Sequence, residues 1–66
     1  MKNTVKVERA KKDMTQAQLA EKIGVSRQTI NAIESQDYVP SVVLALKIAK
    51  LFEVKVNDIF ELEKGD

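Results

Sequence analysis

The stretch QAQLAEKIGVSRQTINAIES, from Gln16 to Ser35, constrains the fold more than any other part of this chain. Its first half, Gln16 to Ile23, repeats apolar residues at three- and four-residue steps (Leu19, Ala20, Ile23), which sets them on one stripe of a helix. Thr15 precedes it in a T-x-x-Q pattern with Gln18, a pair that can satisfy the orphan N–H groups of a helix start reciprocally. Gly24 then offers a positive φ at little steric cost, which ends the helix. Only Val25 and Ser26 separate it from a second periodic run, Ile30 and Ile33, and Ser26 is a good N-cap for that run.

A turn that short does not let the second helix lie antiparallel on the first, so the two cross steeply. This is the geometry of the DNA-reading helix-turn-helix, whose second helix enters the major groove. The small Ala20 permits close approach, while Leu19, Ile23, Val25, Ile30 and Ile33 pin the corner to the core. The competing reading is a helical hairpin that merely packs. Polar residues falling where a reading helix needs them weigh against it.

The same stretch and its flanks resemble the small Cro/cI-like (Xre) repressor family of bacteria, archaea and phages. The resemblance runs from about Val5 to Phe60. It is carried by T-Q-x-x-L-A (Thr15 to Ala20), G-V-S-R-Q-T-I (Gly24 to Ile30), A-I-E (Ala32 to Glu34) and Y-x-P-S (Tyr38 to Ser41). Four pieces in order and in register are far more specific than a lone helix-turn-helix pattern. The resemblance implies an all-α, five-helix, lambda-repressor-like DNA-binding bundle.

Sixty-six residues make one domain, 1–66, whose core is marginal without help. Within it the helix-turn-helix occupies 16–35 and a dimerisation region is expected at about 52–66. The chain has neither cysteine nor histidine, which removes disulfides, thiolate metal sites and the commonest general base. No metal, no cofactor and no enzymatic activity are expected. Good helix packing or dimerisation must supply the help, and the resemblance implies both.

Net charge is only +1, but residues 1–35 carry seven Lys/Arg against four acids and residues 36–66 four Lys against six acids. The basic half is the half with the reading helix, as a polarised DNA-binding face requires. Met1 to Asp13 has no apolar signal-peptide core, and the longest apolar run, Val42 to Leu46, stops at Lys47. The expectation is a cytoplasmic protein with no membrane partner.

Val5 to Lys12 reads as a first helix capped by Asn3 or Thr4, with thin apolar content in Val5, Val7 and Ala10; Met14 plugs the core after it. The family more often has an apolar residue where Glu8 stands. Arg9 has two readings, a phosphate contact or, as the resemblance implies, an ion pair with Glu34, and the structural pair is preferred. Such a pair fixes the angle between two helices more than it adds net stability.

Side chains near the start of the second helix, Arg27 to about Ser35, face the groove floor in this docking geometry. Arg27 can fork onto guanine O6 and N7, and Gln28 can pair with adenine N6 and N7. Thr29 has a methyl for thymine and a hydroxyl for phosphate, and Asn31 can reach a base edge or the backbone. Base reading is therefore assigned to Arg27, Gln28, Thr29 and Asn31, with solvated helix surface as the bland alternative. Ala32 is small where some relatives carry a long polar reader. Phosphate binding is assigned to Gln16, at the positive end of its helix, and to Ser26 and Tyr38. The other reading of Tyr38 is a lid over the core.

In the loop after Ser35 the chain departs from the family, which usually has Gly-Lys where Gln36-Asp37 stands. A non-Gly residue held in the left-handed region costs about 1 kcal/mol. Asp37 also puts an anion where a cation would bind phosphate. Ser41 caps a fourth helix, Val42 to about Phe52, so apolar that burial on more than one side is expected. Glu53 stands where the family usually has a helix-ending Gly. A short fifth helix, about Val56 to Phe60, follows, with Asn57 and Asp58 near its positive end. Val56, Ile59, Phe60 and Leu62 either close the core or form a two-fold interface, and a shared role is preferred. In some relatives the tail pairs with the N-terminus, and Glu61-Leu62-Glu63 alternates suitably for a short terminal β-hairpin.

The expected function is sequence-specific binding of double-stranded DNA by a homodimeric transcriptional regulator. The simplest mechanism is repression from a palindromic operator. The alternative is an antitoxin-like or adaptor role whose main partner is another protein.

Overall fold

The computed structural model describes residues 1–66 as β1 (Lys2–Asn3), α1 (Val5–Lys11), α2 (Gln16–Ile23), α3 (Arg27–Glu34), α4 (Val42–Leu51), α5 (Val56–Ile59) and β2 (Phe60–Glu61). The architecture is the expected all-α bundle of five helices with a short terminal two-stranded ribbon.

Three helix starts form through the residues that the local sequence offers. Thr15 Oγ1 accepts from Gln18 N at 3.1 Å while Gln18 Oε1 accepts from Thr15 N at 2.8 Å, a complete capping box. Ser26 Oγ accepts from Thr29 N at 3.2 Å, and Ser41 Oγ accepts from Leu44 N at 3.1 Å. At α1, Thr4 makes no side-chain cap. Asn3 does the work from one residue upstream: its Oδ1 accepts from Val5 N at 3.2 Å and its Nδ2 donates to the Ile33 carbonyl at 2.8 Å. One amide thus starts α1 and ties it to α3.

The helix ends share a geometry that only one of them meets with glycine. Gly24 closes α2 at φ +86°, but Asp13, Gln36 and Glu53 adopt φ of +51°, +65° and +58° after α1, α3 and α4. Each of the three carries the paired Schellman bonds: Met14 N to Arg9 O, Asp37 N to Ala32 O and Val54 N to Ala49 O, all 2.9–3.0 Å. Gln36 and Glu53 are the two positions where the family usually has Gly. Asp13 is a third, which the sequence did not signal because Asp tolerates this region better than most residues.

Thirteen apolar residues form the core, among them Val5 from α1, Leu19, Ala20 and Ile23 from α2, and Ile30 and Ile33 from α3. Met14 and Val25 pack half-buried against it, and Ala20 sits 4% exposed where α2 meets α3. Of the apolar residues in α1 only Val5 is buried; Val7 is 52% exposed.

One expectation needs correcting. α4 buries Leu44, Ala45, Ile48 and Ala49 on one side, but leaves Val42, Val43 and Leu46 at 75%, 64% and 51% exposure. No element within these 66 residues covers that side. The expected pairing of the tail with the N-terminus is present: Lys2 lies opposite Glu61 and Asn3 opposite Phe60, antiparallel. It joins the two chain ends and has no hairpin turn. Thr4 N donating to Ile59 O at 2.9 Å continues it, and the N-terminal ammonium lies 3.3 Å from Glu63 and 3.2 Å from Asp66.

Candidate nucleic-acid interface

The cap at Ser26 makes Arg27 the first residue of α3, so Arg27, Gln28 and Asn31 stand exposed on its outer side while Ile30 and Ile33 are fully buried. A helix with this division presents a polar face rigidly, because its other face is locked into the core. Thr29 is half-buried, its hydroxyl 3.0 Å from Ser26 Oγ. The hydroxyls of Ser26 and Thr29 are thus both engaged in the cap, which limits what either can offer a phosphate.

Gln16, first residue of α2, reaches across to α3 with both ends of its amide. Nε2 donates to Asn31 Oδ1 at 3.3 Å and to Glu34 Oε1 at 3.1 Å, and Oε1 accepts from Arg27 Nη1 at 3.4 Å. Three residues along one side of α3 are therefore held by one side chain of α2. The chain of contacts continues inward. Arg9 Nε donates to Glu34 Oε2 at 2.8 Å, Nη2 to Glu34 Oε1 at 3.0 Å, and Nη1 to the Met14 carbonyl at 2.8 Å. Arg9 is thus committed to α3 and to the turn before α2, with its side chain 16% exposed and that of Glu34 only 6%.

Burial by itself pushes the Glu34 carboxyl up. The hydrogen bonds from Arg9 and Gln16, with the charges of Arg9 and Lys6, outweigh it and hold the group below the usual carboxylate range. The Arg9 guanidinium is raised, chiefly by its hydrogen bonds to Glu34. The pair stays ionised, and Arg27 is the cation that α3 presents outward.

Tyr38 is 47% exposed and does not cover the core. With Gln28, Thr29 and Ala32 it borders an open hollow of about 320 Å³ beside α3. Sequence reasoning missed this hollow, although a small residue at Ala32 was its signal. It also missed the grouping of Lys22, Lys47 and Lys50 around another open groove, for which residues on two different helices left no pattern.

The residues assigned to the two-fold interface divide. Ile59 and Phe60 are 2% and 8% exposed and belong to this chain's own core, though Phe60 also lines the groove described next. Val56 is half-buried, and Leu62 is 75% exposed. Beside Val56 runs an apolar groove of about 350 Å³ bordered by Val39, Val42 and Leu46. No three acidic side chains converge as ligands for a metal ion, and no helix is long and apolar enough to cross a membrane.

Comparison with known proteins points the same way as the geometry. The family model described as helix-turn-helix matches residues 5–59. An uncharacterized HTH-type transcriptional regulator of Methanocaldococcus jannaschii is 59% identical over 66 residues, covering 100% of both chains. Another from Bacillus subtilis, YgzD, is 55% identical over 64 residues, 97% of each chain. Among solved structures, a candidate DNA-binding protein from Bacteroides fragilis superposes with a TM-score of 0.79 at 34% identity, over 88% of this chain and 94% of that one. The solution structure of the SOS-response repressor LexA from Eubacterium rectale gives a TM-score of 0.81 at 29% identity, over 94% of this chain and 66% of that one.

Proposed function

The chain belongs to the Cro/cI-like (Xre) helix-turn-helix family of DNA-binding transcriptional regulators, and from that premise we propose that it is a repressor. It binds a two-fold symmetric operator as a homodimer and excludes polymerase by occupying the site. The observation that carries this reading is the exposed polar start of α3, Arg27, Gln28 and Asn31, with Arg27 and Asn31 both hydrogen-bonded to Gln16.

Arg27 forks onto a guanine and Gln28 onto an adenine, each such pair discriminating by about 1–3 kcal/mol. Asn31 reaches a base edge or the backbone, and Thr29 offers its methyl. Tyr38 and the positive end of α2 at Gln16 take phosphates, which set register and not sequence. Ser26 contributes mainly by capping the helix that presents these groups. Two reading helices about 34 Å apart fit successive major grooves. The dimer forms along the apolar groove of Val39, Val42 and Leu46, whose lining also includes Val56 and Phe60; Leu62 is exposed and Ile59 stays in this chain's own core.

The test is selection of binding sites from random duplex DNA at moderate and high salt, with Arg27→Ala/Gln28→Ala as control. A palindromic motif with half-sites about 10 base pairs apart, lost in the control, supports the reading. A flat profile at both salts overturns it. It would move attention to the second reading, an antitoxin-like or adaptor protein, which the apolar strip on α4 favours because the same strip suits a foreign chain.

A further inference from the structure

We infer that the cationic groove where the ends of α2 and α4 meet is a docking site for an acidic segment of another protein, one that carries an apolar side chain among its carboxylates. The groove is open, encloses about 500 Å³ and is bordered by Lys22 and Ile23 of α2 and by Lys47, Lys50 and Leu51 of α4. It stands apart from the outer side of α3. Lys22 lies six residues, about 9 Å, along α2 from Gln16.

Three ammonium groups border one groove in a chain whose net charge is only +1. Residues 36–66 hold four lysines, and two of them are here. None of the three takes part in an ion pair, since those of this chain engage the N-terminus, Arg9 and Lys11. The nearest acids along the chain, Glu21 and Glu53, do not border the groove. Lys22 and Lys50 stand in the last turns of their helices, where the negative end of the dipole favours a cation. Lys47 lies in mid-helix and has no such role. Like charges grouped without a counter-ion repel one another, and an anionic guest relieves that repulsion.

The lining selects a peptide over a phosphate chain. Both helices bring their carbonyl ends to the groove, whereas phosphate is held by the N–H groups of helix starts. The two remaining lining residues are apolar. Leu51 is half-buried and Ile23 is 8% exposed, which leaves a small apolar floor between the cations. Lysines are flexible point charges that accept carboxylates in several arrangements, while the floor takes one apolar side chain. A partner bound there leaves α3 and the start of α2 open, so the protein can hold DNA and an acidic segment at once.

The experiment selects random short peptides, displayed on phage, against the full chain, then titrates the enriched peptides by fluorescence anisotropy. Peptides with several Asp or Glu and an apolar residue among them are expected to dominate. Lys22→Gln/Lys47→Gln/Lys50→Gln should weaken their binding about tenfold, as for three exposed ion pairs lost together. Lys12→Gln/Lys55→Gln/Lys64→Gln, which removes the same charge elsewhere, should change it less than twofold. Amide shifts in NMR spectra of the unaltered protein should move at 22–24 and 47–51 when peptide is added. Circular dichroism confirms that both triple variants, altered only at exposed positions, are folded.

A selection that enriches no acidic peptides, or binding that the first triple variant leaves within twofold, overturns the inference. Equal losses in the two triple variants also overturn it, because net charge and not the groove would then be responsible. Duplex DNA that moves the same amide signals would give the groove to phosphate. Tightest binding by a peptide of residues 60–66, which carry Glu61, Glu63 and Asp66 around Leu62, would give it to a second copy of this chain. Either result would exclude a foreign acidic partner. Selection of DNA sites is a separate measurement, so its failure leaves this result intact.

Discussion

Arg9 and Glu34, 25 residues apart in sequence, meet through two N–H···O bonds of 2.8 and 3.0 Å, the planar fork of the guanidinium matched to both carboxylate oxygens. The same carboxylate accepts from Gln16, which also touches Arg27 and Asn31. One ionic contact between α1 and α3 is therefore continuous with the side chains proposed to read DNA. With only Val5 of α1 buried, this contact does much to hold α1 in place.

Breaking the pair from one side should cost more than replacing both partners. Arg9→Met or Glu34→Leu alone is expected to destabilise by about 3 kcal/mol, since each strands the opposite charge where water is scarce. The double variant should recover most of that loss. Urea unfolding of the three proteins measures it, and equal losses in all three would show that the pair is not coupled.

Acid should weaken the fold through Glu34. Its folded carboxyl lies below the ordinary value of 4.5, so the unfolded chain takes up the proton first as pH drops. The stability that the group contributes is complete above 4.5 and is lost progressively as pH falls through the lower folded value. Glu34→Gln should flatten that part of the stability profile. An unchanged slope below pH 4.5 would rule out Glu34 as its source.

Glycine at the left-handed helix ends should stabilise. Gln36→Gly and Glu53→Gly, at φ +65° and +58°, are each expected to raise stability by about 1 kcal/mol, with additive effects because they lie on separate helix ends. Thermal melts of the single and double variants check this. A lower melting temperature for both would contradict the backbone geometry.

Arg27→Ala should weaken binding to the selected operator by roughly tenfold or more and relax the choice of base at one position per half-site. Gln16→Ala should weaken it too, because Arg27 and Asn31 lose their brace. Titration by fluorescence anisotropy measures both. Affinity for Arg27→Ala within twofold of the unaltered protein would remove Arg27 from base reading.

The apolar residues near the C-terminus should fall into two classes. Leu46→Lys, on the exposed strip, is expected to yield folded monomer, seen by light scattering with helical circular dichroism retained. Phe60→Ala should instead unfold the chain, at a cost of about 3–5 kcal/mol for a large core residue. A dimeric Leu46→Lys would place the interface elsewhere.

Local chemistry was legible in the chain. Thr15 with Gln18, Gly24, Ser26 and Ser41 are signals that act within a few residues of themselves: α2, α3 and α4 start at Thr15, Ser26 and Ser41, and α2 ends at Gly24. The apolar stripe of Leu19, Ala20 and Ile23 and that of Ile30 and Ile33 followed from helical periodicity and are both buried. Gln36 and Glu53 stood out as residues occupying positions that favour glycine, and their φ values are positive.

What only the tertiary structure decided concerns groups that depend on distant neighbours. Val42, Leu44 and Leu46 are equally apolar in sequence, yet Leu44 is buried and the other two are not, because burial of a helix face depends on which elements pack against it. Ile59 and Phe60 turned inward for the same reason, while Leu62 stayed outside. Asn3 reaching Ile33, and Gln16 serving Asn31, Glu34 and Arg27 together, join segments 11 to 30 residues apart. The hollow bordered by Ala32 and Tyr38 likewise exists only once the segment after α3 has folded beside that helix. Periodicity and capping are properties of neighbours along the chain, which a sequence displays; pockets, polar networks and exposed faces are properties of neighbours in space, which arise when the helices pack.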